Sequence, residues 1–473
     1  MKYTPSALLA SVGLSAALTQ QCTGGSAVNE GGNWFCGSVN QIIYQGIRGN
    51  GGFQAVTDMS STGKCLQEHQ RYDGPLAPLD QGLSLHFRGP LHLKQFAVYN
   101  LASSRKRDQV APGPDSGNSD NETQIEQGEP SNVSARQKHG HRFIHRALRA
   151  ERADIVTATI YGKVVTWENN YFGGAATSTP ASPPAATLQT GAAIVDTDAT
   201  SEKPSATKAS DKPTETLAPP RSDWDRVAYY NAEKQESENV VFMGNHGGQG
   251  SGVFDTVWGL SLAYLNSKGN GGAPSPQILQ DVQIPSNQEF SIFSAEKCGS
   301  DCGFSRVPEL AYKGFGGPTK AFLFEFKMPS DGTRCPPGTR PGFQGCANPD
   351  MPAIWALNAA IPRTAQYNGC SCWVTGCGEV DIYEVLAPGD TKCKSSFHMA
   401  NGAGSSDYFE RPVDRYVKVA IVFHGETATV SIQKLADHVA FSKGLDGETV
   451  SSWLGRPTDK TALTLSSLFQ LAS

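Results

Sequence analysis

Short apolar runs rich in β-branched and aromatic residues, separated by clusters of Gly, Pro and Asp, recur along this chain. Such residues suit a pleated surface and the turn residues mark where strands end, so the runs predict strands. In the first part they are Leu83-Ser-Leu-His-Phe, then Leu91 to Tyr99, and later Ile155 to Trp167. Further on come Ala321-Phe-Leu-Phe-Glu-Phe-Lys-Met, Pro352-Ala-Ile-Trp-Ala-Leu and Glu379-Val-Asp-Ile-Tyr-Glu-Val. Ser395-Ser-Phe-His-Met, the run from Tyr416 to Phe423 and Thr427-Ala-Thr-Val-Ser-Ile complete the set. Long helical periodicity is absent until the C-terminal end. The pattern predicts a mainly β protein: a C-terminal β-jelly-roll sandwich over residues 222–473 and a smaller, glycine-rich, β-rich N-terminal domain over residues 20–172.

Residues 173–221 interrupt the pattern with Ala, Ser, Thr and Pro, and they hold no aromatic and no cysteine. A segment this poor in apolar groups cannot offset its ordering entropy, which predicts a disordered linker, and its composition suits O-glycosylation. A polar insertion, residues 102–140, carries two N-glycosylation sequons at Asn121 and Asn132. The cluster Arg105-Lys106-Arg107 within it reads either as a processing site or as a solvated loop. Arg136 to Arg152 reads as an exposed basic helix rather than a metal site at His139, His141 and His145.

The ends and the cysteines indicate a compartment. Lys2, the apolar run Ser6 to Leu18 and the small residues Ala17 and Thr19 predict a secretion signal over residues 1–19. No run is long enough to span a bilayer, and Leu471-Ala-Ser offers no apolar tail for a lipid anchor. Eleven cysteines fit an oxidising environment, with Cys298/Cys302 and Cys335/Cys346 as local staples and one thiol left over by parity. Zinc is the rival reading for Cys370, Cys372 and Cys377, which lack a standard paired spacing. A net charge of −5 over 473 residues argues against nucleic acid and is indifferent to a neutral polymer. No cofactor or metal is expected, and a monomer is.

The informative run is Gly378-Glu-Val-Asp-Ile-Tyr-Glu-Val. In a strand Glu379 and Asp381 share one face, and Glu384 falls on the other by one residue. A β-bulge at Ile382-Tyr383 would return Glu384 to the face of the other two. Three like charges in a row cost stability, which a purely structural strand has no reason to accept. Glycoside hydrolysis uses such a group, one carboxylate attacking the anomeric carbon and another protonating the departing oxygen. Asp381 between two glutamates would keep the acid protonated near neutrality. Trp355 and Trp373, close in sequence, are candidates for a sugar-stacking floor or for core, and His398 for a sugar contact or a structural role.

This run resembles the catalytic signature of glycoside hydrolase family 16 in its bulged form. Phe324-Glu-Phe-Lys-Met-Pro and Met351-Pro-Ala-Ile-Trp-Ala-Leu are similar to the strands preceding it, and His398 to a histidine of laminarinase-like members. The chain as a whole resembles fungal cell-wall proteins described as glycosyl hydrolases. The resemblance implies a secreted wall protein acting on β-1,3-glucan, with Glu379 as nucleophile, Asp381 as its helper and Glu384 as general acid/base. It implies a retaining endo-glucanase or a glucan-remodelling transglycosylase. The alternative is a non-catalytic glucan-binding or structural wall protein.

Overall fold

A computed structural model describes residues 27–30, 33–102, 155–160, 163–168, 222–339, 346–399 and 402–471. The predicted signal, both sequons, the Arg105–Arg107 cluster, the histidines at 139–145 and the linker lie outside these residues.

The strands that matter here are, in chain order, β1 (Gln41–Gln45), β2 (Arg48–Met59), β3 (Cys65–Pro75), β4 (Leu83–Arg88) and β5 (His92–Leu101). After residue 222 come β6 (Trp224–Asn231), β7 (Val241–Gly244), β8 (Ala263–Leu265), β9 (Glu289–Phe293) and β10 (Lys320–Lys327). They are followed by β11 (Ala353–Asn358), β12 (Glu379–Val385), β13 (Lys392–His398), β14 (Val417–His424), β15 (Thr429–Leu435) and β16 (Ser466–Gln470). One helix, α1 (Gly447–Leu454), starts at Asp446, whose side chain accepts from the Thr449 N–H at 2.7 Å and caps it.

The protein is mainly β, as the runs predict. Two large sheets carry the fold. Sheet one runs β6-β5-β10-β14-β15-β1-β16, and sheet two runs β8-β7-β9-β4-β11-β12-β13, each extended by short edge strands. Local alternation could not show where the early strands pair. β5 lies between β6 and β10, β4 between β9 and β11, and β1 between β15 and β16. The N-terminal region therefore supplies interior strands to both sheets of the C-terminal region. The run Ile155 to Trp167 forms a separate two-stranded hairpin, Ile155–Ile160 with Lys163–Glu168.

Strand period explains the core. On β10, Phe322, Phe324 and Phe326 point between the sheets, and Ala321 and Leu323 point to the opposite side. Leu83, Leu85 and Phe87 of β4 meet them from sheet two, and Phe87 contacts Phe324 with ring centroids 6.0 Å apart. Each such aromatic contributes about 1.5–3 kcal/mol by leaving water. The outer face of sheet one is closed by α1, whose Val450 and Trp453 pack with Tyr99, Trp224 and Val422.

The outer face of sheet two receives the β2–β3 hairpin. Phe53 and Tyr72 pack with Trp355, Leu357 and Trp373, and the Gln54 N–H donates to Thr375 Oγ1 at 2.9 Å. A disulfide joins Cys65 at the start of β3 to Cys370. Cys298–Cys302 and Cys335–Cys346 pair locally, and Cys372 pairs with Cys377, so the zinc reading of the Cys370–Cys377 cluster falls because its thiols are bonded. Cys393 is a buried free thiol. Among the described residues no helix is long and apolar enough to cross a membrane.

Candidate active site

β12 is entered through Gly378 at φ +111°, where a Cβ would also meet Leu79 at 2.9 Å. Only glycine suits that backbone without strain. Along β12 the register shifts after Asp381. Opposite β11, Asp381 faces Trp355 and Tyr383 faces Ile354, so Ile382 is extra. Opposite β13, Ile382 and Tyr383 together span the gap between the Ser396 and Lys394 pairs. Both bulged side chains turn into the core, Tyr383 stacking on Phe409 at 4.4 Å. Two consecutive inward residues leave Glu384 on the face of Glu379 and Asp381, with its Oε1 3.5 Å from Arg88 Nη2.

The ladder arranges this face in three cross-strand rows. Glu289, Arg88, Ala353, Glu384 and Lys394 form the first, and Ser291, His86, Trp355, Asp381 and Ser396 the second. Ser84, Leu357, Glu379 and His398 form the third. All six residues singled out in the sequence therefore come together: five lie on this face, and Trp373 reaches it from the loop before β12. Its indole N–H donates to Glu379 Oε2, and its ring tilts against His398 at 6.2 Å. His398 Nε2 lies 2.8 Å from Asp381 Oδ2, and Ser396 Oγ donates to the same oxygen at 2.5 Å. Trp355 stacks on His86 at 5.3 Å and packs beneath the hairpin, so it is largely enclosed.

The electrostatics follow from enclosure. Glu379, Asp381 and Glu384 are 8%, 4% and 3% exposed. Burial, reinforced by the Asp381 charge and opposed by Arg88 and His398, pushes the Glu384 carboxyl up to about 8. It therefore carries its proton at neutrality, as a general acid must. Burial pushes His86 down to about 3, so its ring is neutral, with Nε2 2.9 Å from Ser84 Oγ. Glu289 is also raised by burial, against the pull of Arg88 and of Tyr367, whose hydroxyl donates to it. Sequence reasoning missed Ser84, His86, Arg88 and Glu289. For the first three the signal was present in Leu83-Ser-Leu-His-Phe-Arg, where polar side chains alternate with apolar ones.

Two small cavities among the described residues lie elsewhere. One of about 20 Å³ is lined by Ser38, Tyr383 and Phe409, and one of about 10 Å³ by Ser261, Leu310 and Arg363. Neither is larger than a water site.

Fold and site define a two-sheet β protein that carries a bulged row of three carboxylates on one outer face, facing polar residues from its N-terminal region. The comparisons place this class. Residues 222–453 match the family described as cell wall protein YJL171C/Tos1, C-terminal, and residues 40–101 match its N-terminal counterpart. A relative from Candida albicans named "Probable circularly permuted 1,3-beta-glucanase TOS1" is 38% identical over 96% of this chain and 98% of its own. One from Arthroderma benhamiae, "Probable circularly permuted 1,3-beta-glucanase", is 38% identical over 90% of this chain and 91% of its own. A Saccharomyces cerevisiae relative, named like the first, is 36% identical over 92% of this chain and 94% of its own. No solved structure matches the chain. The chain belongs to the YJL171C/Tos1 family of cell wall proteins, and the fungal cell wall is its location.

Proposed function

We propose that this chain is a retaining glycoside hydrolase acting on the β-1,3-glucan of the cell wall, cutting internally or transferring the cut chain to another glucan end. The observation that carries the reading is the bulge that sets Glu379, Asp381 and Glu384 on one face, where burial raises the Glu384 carboxyl toward the range of a general acid. The names of the relatives supply the substrate. Their description as permuted agrees with strands β1, β4 and β5, which sit between strands that come much later in the chain.

In this reading Glu379 attacks the anomeric carbon and forms a glycosyl ester, while Glu384 gives its proton to the departing glycosidic oxygen. Glu384, now a carboxylate, then takes a proton from water or from a sugar hydroxyl, which attacks the ester and frees Glu379. The Trp373 N–H steadies the Glu379 oxygen, and Ser396 and His398 fix Asp381 between the two. Glu379 and Glu384 pair with β11 residues four positions apart, so their Cα atoms are about 13 Å apart along the strand. Both side chains must lean over Asp381 to approach the ~5–5.5 Å spacing of a retaining pair. Exclusion of water from so enclosed a site would favour a sugar acceptor.

A second reading, a non-catalytic glucan-binding or structural wall protein, has its own observation. The acids are almost fully enclosed. Glucan could reach them only if the covering groups moved. Reducing-end release from laminarin, beside a pull-down on insoluble glucan, separates the two. The enzyme reading expects release by the parent, loss of release in Glu379→Gln and Glu384→Gln, and binding kept in both. A parent that binds glucan yet neither shortens nor lengthens laminarin oligosaccharides supports the second reading. Products longer than the starting oligosaccharide require transfer.

A further inference from the structure

We propose that Arg88, brought to this face by the N-terminal region, is a positioning residue for Glu384: a buried charged contact holds the carboxyl group in place. Its importance for catalysis rests on the enzyme reading above, but the contact is testable without turnover.

Arg88 is fully buried, with a hydrogen bond at Nε and two carboxylates within ion-pair distance of its guanidinium. Its Nε donates to the Met351 carbonyl at 2.8 Å, which sets the plane of the group just before β11 begins. From there one terminal nitrogen lies 3.5 Å from Glu384 Oε1 and the other 3.7 Å from Glu289 Oε1. Its cationic carbon also sits 5.7 Å from the centre of the Trp355 ring, within cation–π range. Glu289 is tied in turn to the Tyr367 hydroxyl. Glu289, Arg88 and Glu384 share a single row of the ladder, and Tyr367 joins its end from a turn outside the sheet.

A buried arginine between two carboxylates gives little stability over an apolar replacement, because desolvation cancels much of the attraction. What it does provide is direction. A guanidinium is planar and always charged, so it fixes the orientation of a carboxyl group better than a lysine can. The other charged groups around Glu384 do not duplicate it. Asp381 and Glu379 repel its charged form, and His398 offers a weaker opposing influence from β13. Lys394 pairs with Glu384 in the register, but its Nζ donates to the Trp34 carbonyl at 2.9 Å. Glu289 faces Glu384 only across Arg88.

The test is an infrared difference titration of the full chain, following the band of the protonated carboxyl group, with alkaline limbs of laminarin kcat/KM measured beside it. The parent should show a band with a midpoint at about 8 that is missing in Glu384→Gln. In Arg88→Met, which keeps the bulk and removes the charge, the midpoint should rise by about one unit or more. Arg88→Lys should bring it back toward the parent value with a looser carboxyl and a lower kcat. A folded Arg88→Met whose midpoint stays at the parent value overturns the proposal. If Arg88→Met does not fold, Glu289→Gln replaces it, because removing that carboxylate leaves the guanidinium to Glu384 and should lower the midpoint. An unmoved midpoint there overturns the proposal equally. A parent that shows these shifts but no turnover supports the contact and sinks the enzyme reading, so the two fail separately.

Discussion

The outer face of sheet one is finished with apolar groups, whereas the outer face of sheet two gathers ionisable ones around Trp355 and Leu357. On sheet one Tyr99, Trp224, Leu323 and Val422 meet Phe441, Val450 and Trp453. On sheet two the outward positions hold Glu289, Arg88, Glu384, Asp381, Glu379 and His398, and Trp373 from a disulfide-closed loop meets Glu379 and His398. Both faces are buried, and the same strand period makes both. Only the first is what stability alone would select, since enclosed like charges oppose folding. The difference teaches where function resides: in the face whose chemistry works against the fold.

Four substitution experiments would break or sharpen that contrast. The largest effect is expected on sheet two, where Glu384→Gln should cost about 10²–10⁴-fold in laminarin turnover, the range of a lost general acid. Its melting temperature should stay level or rise at neutral pH, and a sharp fall would make the residue structural. On sheet one, Trp453→Ala should lower unfolding free energy by about 3–5 kcal/mol in urea titrations, the cost of an emptied aromatic site. It should leave the pH dependence of activity where it was. Replacing Cys65 and Cys370 together by Ser should cost about 2–4 kcal/mol and make β2–β3 the first site of proteolytic cutting. Uncut β2–β3 in that variant would show that side-chain packing alone holds the hairpin on the sheet.

The smallest effect is a slope. A carboxyl group whose folded pKa is raised holds its proton more tightly in the native state, so its contribution to stability is complete below its ordinary value of 4.5. That contribution is lost as pH climbs toward about 8. The parent should therefore lose stability across this window, by at most about 1.4 kcal/mol per pH unit from this group. Glu384→Gln should flatten the slope. An equal slope in parent and variant would mean that Glu384 titrates normally.

Much of this was legible in the sequence, for a reason visible in single elements. The runs at Ala321 and Pro352 are β10 and β11 to within a residue, and that at Glu379 is β12, because period and β-branched content are local properties. The bulge was legible too, since E-x-D-x-x-E puts its acids on one face only if a residue is inserted. Pairing was not. Nothing local in Leu83 to Arg88 says that it lies between β9 and β11, more than 200 residues away, so Arg88 and His86 went unnoticed as neighbours of the acids. The same holds for the cysteines. The short-range pairs Cys298–Cys302 and Cys335–Cys346 were readable, but Cys65–Cys370, 305 residues apart, depends on a hairpin docking that the sequence does not display. Enclosure of the acids was hidden for the same cause: Arg88 and Trp373, which meet Glu384 and Glu379, come from separate parts of the chain.

Mass spectrometry of the intact chain after incubation with a 2-deoxy-2-fluoro laminaribiosyl fluoride tests the claim that the acid row performs chemistry most directly. The slowed second step should leave one glycosyl adduct, mapped by peptide sequencing to Glu379 and missing in Glu379→Gln. An adduct on a different residue, or a chain that degrades laminarin and is never labelled, would contradict the account.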